Sequence, residues 1–260
     1  MIPAASRMMT EVTVAGRRLE VAAVDAPRPG APWVVFLHEG LGSAAQWRDY
    51  PERVAAATGC GTLVYSRHGY GRSEPRPAPW PDDFLAPEAI ETLPALLAHF
   101  HIDRPVLVGH SDGGTIALMF AAAFPHACAG IVSIAAHVMC EDATGIGIRA
   151  ARQRFLDGPL REALRRQHGS HTDDTMFGWA NAWLRVGEWD IRPSLRSVTC
   201  PVLVIQGRDD PFGTLAQVDA IAQAVGGAAE TLVIDHCGHA PHRERRKEVL
   251  AAVTRFIRLL

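Results

Sequence analysis

Paired cysteines, a long apolar run and a strong net charge are all missing from these 260 residues, and no leader pattern is read among the first ten. Each absence removes a class of function. The five cysteines (Cys60, Cys128, Cys140, Cys200 and Cys237) are odd in number and never fall in a Cys-x-x-Cys pair. That argues against a disulfide framework or a cysteine zinc site and points to a reducing compartment. Residues 1–10 hold no basic segment followed by an apolar one, so no secretory leader is read. No apolar run approaches the roughly 20 residues that a bilayer span needs. With a net charge of −2 there is no bulk field to draw nucleic acid or an anionic membrane. The arginine-rich pieces 161–166 and 243–247 are mixed with glutamate, lack interleaved aromatic residues, and read as solvated helix faces. The expectation is a cytoplasmic protein that acts on a small molecule, with no nucleic-acid or membrane partner. A homo-oligomer is compatible with this reading.

What is present is an ordinary globular composition, 48% hydrophobic and 21% charged, long enough to bury a large core. No internal repeat or low-complexity segment interrupts it. Residues 10–14 and 19–24, parted by Gly16-Arg17-Arg18, predict an antiparallel hairpin. Beyond the Pro/Gly-rich stretch 27–32, apolar runs at 34–37, 62–65, 106–108, 130–135, 201–205 and 230–234 predict strands buried on both faces. Helical patterns at 47–56, 88–100, 115–124, 214–225 and 244–260 alternate with them. Pro75, Pro77, Pro79, Pro81 and Pro87 mark an irregular loop, and Pro94 is a blemish in the helix at 88–100. Strands alternating with helices predict an α/β fold: a mostly parallel twisted sheet of about eight strands, with helices on both faces. Residues 138–190 lack buried-strand runs and read as a small helical lid, inserted between core segments 1–137 and 191–260.

The chemistry gathers first at Gly109-His110-Ser111-Asp112-Gly113-Gly114, between the run 106–108 and the helical pattern after it. Gly-x-Ser-x-Gly between strand and helix is the form of a nucleophile elbow, a strained turn that lifts the serine hydroxyl clear of the sheet. A serine needs a base, and the base needs an orienting acid. Both are available downstream in loops after strands: Gly207-Arg208-Asp209-Asp210-Pro211, then His236-Cys237-Gly238-His239-Ala240-Pro241-His242. The chain order Ser, Asp, His and the placement at strand carboxyl ends both fit.

At these residues the chain resembles the α/β-hydrolase superfamily, over nearly its whole length. The resemblance implies Ser111 as nucleophile, Asp210 as the acid three residues beyond the strand-ending glycine, and His239, in Gly238-His239, as the base. Ser66-Arg67-His68-Gly69-Tyr70-Gly71-Arg72-Ser73 is similar to the family's Asp-x-Arg-Gly-x-Gly-x-Ser loop, with Ser66 in place of Asp. His38-Glu39-Gly40 resembles its His-Gly-x loop, which makes the Gly40 amide one oxyanion donor beside that of Asp112; Leu41 is the rival. Glu39 stands where glycine is usual. It should point away from the oxyanion or pair with Arg67 or a histidine, and it is a candidate substrate contact.

Competing readings accompany each residue. Asp209 is the alternative acid, while His236 and His242 read as hydrogen-bonding or surface residues of the base loop. A metal site at His236, His239 and His242 is disfavoured, because no carboxylate or cysteine is spaced to complete it. The Asp112 side chain fits stabilisation of a helix N-terminus, or recognition of a substrate ammonium, as in some amino-acid-ester hydrolases that share Ser-Asp-Gly-Gly. Trp179, Trp183 and Trp189 are candidates for an acyl pocket, although the spacing of four between the first two equally fits a packed helix face. His137 is a pocket candidate or a structural histidine. The resulting expectation is a cofactor-free, metal-free serine hydrolase that cleaves a carboxylic ester of a small molecule through an acyl-enzyme. The alternatives are amide or aminoacyl, enol-lactone or carbon–carbon bond hydrolysis and, in another class, a non-turnover receptor or scaffold.

Overall fold

The computed structural model describes residues 8–24 and 30–260; the first half of the Pro/Gly-rich stretch 27–32 lies outside the described residues. An antiparallel hairpin, β1 (Thr10–Val14) and β2 (Arg17–Val24), opens the chain. Its two-residue turn is Ala15-Gly16, both at positive φ, so β2 starts two residues before the expected Leu19. That is the turn geometry whose twist matches a hairpin. Then follow β3 (Trp33–Leu37), β4 (Gly61–Tyr65), β5 (Val106–His110), β6 (Gly130–Ile134), β7 (Val202–Gly207) and β8 (Ala229–Ile234). They form one eight-stranded sheet in the order β1-β2-β4-β3-β5-β6-β7-β8. Every pairing from β4 through β8 is parallel, and only β1 and β2 run against their neighbours.

Helices cover both faces and make two cores. On one face α2 (Leu93–His99), α3 (Asp112–Ala123) and α8 (Leu215–Ala224) bury Leu93, Leu96, Ile116, Leu118, Val218 and Ile221 against the sheet. On the other, α1 (Tyr50–Thr58) and α10 (Arg246–Leu259) bury Val54, Val249, Val253 and Phe256. Helix α1 does not begin at Trp47 as expected. Pro51 sits in its first turn, where the missing N–H costs nothing, but its ring would clash with a helix continuing back to residue 47. Ala44–Trp47 forms a separate 3-10 turn instead. Residues 88–92 make a π turn ahead of α2, with Pro94 at the start of the α segment. The wider turn shifts the phase, so Ile90, expected inside, is 48% exposed and Ala89 is buried in its stead.

Between β6 and β7 the chain leaves the sheet and forms α4 (Asp142–Leu156), α5 (Pro159–His168) and α6 (Thr172–Arg185). A bridge between Met139 and Asp190 closes the neck of this excursion. The short α7 (Arg192–Leu195) precedes β7, and α9 (Pro241–Glu244) follows β8, with Arg245 breaking the expected closing helix. No described helix is long and apolar enough to cross a membrane. All five cysteines are free, with the buried Cys128 and Cys200 sulfurs 3.5 Å apart.

Candidate active site

Three loops at the carboxyl ends of parallel strands bring Ser111, His239 and Asp210 together. Ser111 caps α3 with φ 52° and ψ −120°, a left-handed conformation that a serine adopts only under constraint. The constraint is visible on both sides. The Ser111 amide donates to the Ile134 carbonyl at 2.8 Å, and the Gly114 amide donates to the Ser111 carbonyl at 2.8 Å. A Cβ at Gly113 would collide with the Leu37 carbonyl, and one at Gly109 with the Gly113 carbonyl. Glycine at these two positions is what lets the helix start this close to the sheet.

His239 Nε2 is 2.9 Å from Ser111 Oγ, and His239 Nδ1 is 2.7 Å from Asp210 Oδ2. The Asp210 side chain is fully buried. Its Oδ2 also accepts from Gln206 Nε2 at 2.8 Å, and its Oδ1 from the Phe212 amide at 2.8 Å. Burial works against its charge, yet His239 and the Phe212 amide outweigh burial and hold its carboxyl below the ordinary carboxylate value. For His239 burial wins: it pushes the imidazole below its ordinary value, against the pull of Asp210. The base is therefore neutral near pH 7, its Nδ1–H donating to Asp210. The rival Asp209 is exposed, and its amide is spent on the Cys237 carbonyl at 2.9 Å. His236 is exposed, whereas His242 is buried with its ring 4.9 Å from that of Trp47 and 4.6 Å from that of His110.

Ser111 and His239 open on a cavity of about 430 Å³ that Glu39, Gly40, Leu41, Asp112, His137, Trp179 and Trp183 also line. Gly40 and Leu41 follow β3, while the Asp112 amide lies in the first turn of α3, where helix N–H groups have no intrahelical acceptor. The Asp112 carboxylate is buried and already partnered. Its Oδ1 accepts from Trp183 Nε1 at 3.1 Å, and Oδ2 lies 3.5 Å from Arg67 Nη2. Burial nonetheless pushes its carboxyl above the ordinary value, against Arg67 and Trp183. Arg67 also donates to the Glu39 carbonyl at 2.9 Å and lies over the Tyr70 ring.

The Glu39 carboxylate folds back over Gly42, where a Cβ would strike it, and sits 3.6 Å from His110 Nδ1. A histidine is thus its neighbour, and Arg67 meets only its backbone. Burial opposes the charge of Glu39, but His110 and His38 outweigh it and hold the carboxyl far below the usual range. His110 Nε2 is 2.6 Å from the His239 carbonyl, which ties the base loop to the residue before the nucleophile. His137 Nε2 is 3.1 Å from the Phe212 carbonyl, so its ring is both anchored and part of the wall. The Trp179 indole edge packs on Gly40. Trp189 does not reach this cavity.

Several contributors escaped the sequence reading. Gln206 is a buried amide at the end of an apolar strand, a polar intrusion that could have flagged it. Phe212 follows the acid loop directly. Thr144 and Ile148 line the cavity from α4, and no local signal marks them. Glu20, on β2, gives the loop after β4 the carboxylate that Ser66 lacks: its Oε2 accepts from Ser66 Oγ at 2.7 Å and from the Arg72 amide at 3.1 Å.

A parallel sheet flanked by helices, with a serine elbow, a histidine and an aspartate on successive loops, defines an α/β hydrolase architecture. The chain belongs to the alpha/beta hydrolase family, whose model matches residues 34–253. It is 28% identical to 2-succinyl-6-hydroxy-2,4-cyclohexadiene-1-carboxylate synthase of Klebsiella pneumoniae (strain 342), over 91% of this chain and 98% of that protein. The enol-lactonase of Burkholderia xenovorans LB400 is similar in structure, with TM-score 0.74, 22% identity, and 95% and 99% of the two chains covered. So is 2-hydroxy-6-oxo-6-phenylhexa-2,4-dienoate hydrolase from Rhodococcus sp. strain RHA1, with TM-score 0.76, 18% identity, and 97% and 100% covered.

Proposed function

We propose that this protein is a serine hydrolase that cleaves an ester-like bond of a small, uncharged molecule through an acyl-enzyme. The observation that carries the reading is the hydrogen-bonded line from Asp210 through His239 to Ser111, at 2.7 and 2.9 Å, opening on a largely apolar cavity. Neutral His239 takes the Ser111 proton as Oγ attacks the carbonyl carbon. The amides of Asp112 and Gly40 receive the oxyanion. His239 returns the proton to the departing alcohol, leaving an ester on Ser111. Water then adds with His239 again as base, and the acid leaves as the serine regains its proton. Asp210 stays ionised and keeps the imidazole in the required tautomer. No step calls for a metal or cofactor.

The cavity wall disfavours a charged substrate. Among the described residues that line the cavity there is no arginine or lysine. The buried Arg67 is committed to Asp112 and to the Glu39 carbonyl. The synthase relative is named for a carboxylate, and a carboxylate would meet no cationic side chain here. An ammonium would find Asp112 already paired, so α-amino esters should be cleaved no faster than their desamino counterparts.

The test is steady-state hydrolysis of p-nitrophenyl esters from acetate to octanoate by the wild type and by Ser111→Ala. Multiple turnover should fall by at least about 10³-fold in the variant, with its circular dichroism unchanged. Absence of serine-dependent turnover on every ester would sink the ester reading. An enol-lactone, an aminoacyl amide and a dienoate diketone would then separate the other hydrolytic readings, and binding without turnover would mark a receptor.

A further inference from the structure

Beside the catalytic cavity lies a second one of about 550 Å³, and among the residues lining the two only Trp183 belongs to both. The second cavity is walled by Phe84, Leu85, Met119, Val186 and Trp189, with the exposed Asp82 and Asp83 at its rim. It lies between the proline-rich loop, α3 and the end of α6, and the reaction scheme makes no use of it. Trp183 therefore borders both the space in front of Ser111 and the apolar space beside it.

Trp183 is buried among aromatic neighbours and makes one side-chain hydrogen bond, from Nε1 to Asp112 Oδ1 at 3.1 Å. Around the ring are Phe84 and Trp189 edge-on, at centroid distances of 6.2 and 5.3 Å, and His137 at 5.8 Å. Phe84, Trp189 and His137 are the rings that would flank an opening between the two spaces if the indole were absent. The bond to Asp112 also matters by position, because Asp112 directly follows the nucleophile. The wall is thus fixed within one residue of the atom that would carry the acyl group.

We propose that Trp183 is a specificity-determining partition, which ends the acyl site at a short chain and shuts off a latent site for a longer, straight, apolar one. This inference rests on the ester-hydrolase reading above. The lining of the second cavity points to the class of its occupant. Five apolar side chains suit methylenes, while at the rim Asp82 is paired with Arg185 and Asp83 adds a further carboxylate. Removing the indole should join the two spaces, so the added chain gains apolar contacts worth about 0.8 kcal/mol per buried methylene.

The experiment compares kcat/KM on p-nitrophenyl acetate, butyrate, octanoate and decanoate for the wild type, Trp183→Ala, Trp183→Phe and Trp183→Ala/Met119→Trp. The wild type should prefer acetate or butyrate. In Trp183→Ala the decanoate-to-acetate ratio should rise at least about 10-fold, the effect of roughly two buried methylenes. Trp183→Phe loses the bond to Asp112 but keeps a ring in the wall, so its optimum stays short whatever its absolute rate. Met119→Trp refills the second cavity and should return the double variant to short chains. Trp183→Leu replaces Trp183→Ala if the latter does not fold, with a shift in the same direction. A wild type that already prefers decanoate, or a ratio that Trp183→Ala leaves unchanged, would overturn the proposal. If no variant shows serine-dependent turnover, the ester reading itself has failed. Calorimetric titration with decan-1-ol then decides the partition separately: binding to Trp183→Ala but not to the wild type supports it, and equal binding or none refutes it.

Discussion

His239 is where burial and charge compete most directly in this protein. Asp210 favours the imidazolium, burial favours the neutral ring, and burial prevails. A base works only when unprotonated, so a lowered value extends activity toward acid. The acid limb of kcat/KM on a short p-nitrophenyl ester should therefore have its midpoint below the ordinary 6.5 of histidine. A midpoint at 7 or above would mean that the Asp210 charge outweighs dehydration, and the account of a water-poor site would fall. Much of this arrangement is legible in the sequence because sterics wrote it there. Gly109 and Gly113 are needed where backbones nearly touch, and the strain at Ser111, of order 1–3 kcal/mol, is tolerated because those contacts leave no alternative. Partners drawn from distant segments are another matter. Nothing near Asp112 in sequence announces Arg67 or Trp183, and nothing near Glu39 announces His110.

Elements meet at this site through polar links as well as through packing, and the join between β2 and the loop after β4 shows how. The Ser66 hydroxyl donates to Glu20 Oε2 at 2.7 Å and accepts from the Ala44 amide at 3.0 Å. The Ser73 hydroxyl donates to the Ser66 carbonyl at 2.5 Å and accepts from the Glu20 amide at 2.9 Å. Ser66→Ala would leave a buried carboxylate short of a donor and a buried amide short of an acceptor. It should cost about 1–3 kcal/mol in urea unfolding, with most of the loss recovered by Ser66→Thr. No loss in Ser66→Ala would show that Glu20 is satisfied without the hydroxyl. The strands themselves were readable, since a parallel strand buried on both faces is a continuous apolar run. Helix ends were less so. Pro51 and the π turn at 88–92 move the first residue or the phase of a helix, and a projection that assumes 3.6 residues per turn then puts Ile90 on the wrong side. The packing of α4 and α6 over the nucleophile depends on contacts between segments far apart in the chain, which periodicity does not encode.

Taken as a whole, the molecule buries several histidines that its hydrogen bonds require to be neutral, and this couples the assembly of its parts to pH. His38 accepts the Arg67 amide at Nε2 and has Nδ1 2.7 Å from the Glu39 carbonyl. His168, at the end of α5, accepts the Gly71 amide at Nδ1 (2.9 Å) and donates through Nε2 to the Leu41 carbonyl (3.0 Å). One neutral ring thereby ties the helical excursion to both the β3 and β4 loops beside the catalytic serine. Protonating it would set an N–H against the Gly71 N–H. Burial accordingly lowers His168 from 6.5 to about 4, and it lowers His38 and His242 well below their ordinary values too. The sign follows from linkage. Between pH 6.5 and 4 the unfolded chain takes up a proton that folded His168 refuses, so stability is greatest above this window and falls as pH drops through it. At about 1.4 kcal/mol per unit, His168 alone accounts for a loss of about 3 kcal/mol across the window. His168→Gln can still donate one hydrogen bond and accept another but cannot take up the proton. It should start from a lower unfolding free energy at pH 7 and lose less than the wild type on acidification to pH 4.5. The slope it retains belongs to the other buried histidines. Equal losses in the two proteins would show that His168 is not held neutral, and that the link between α5 and the two loops does not depend on its tautomer.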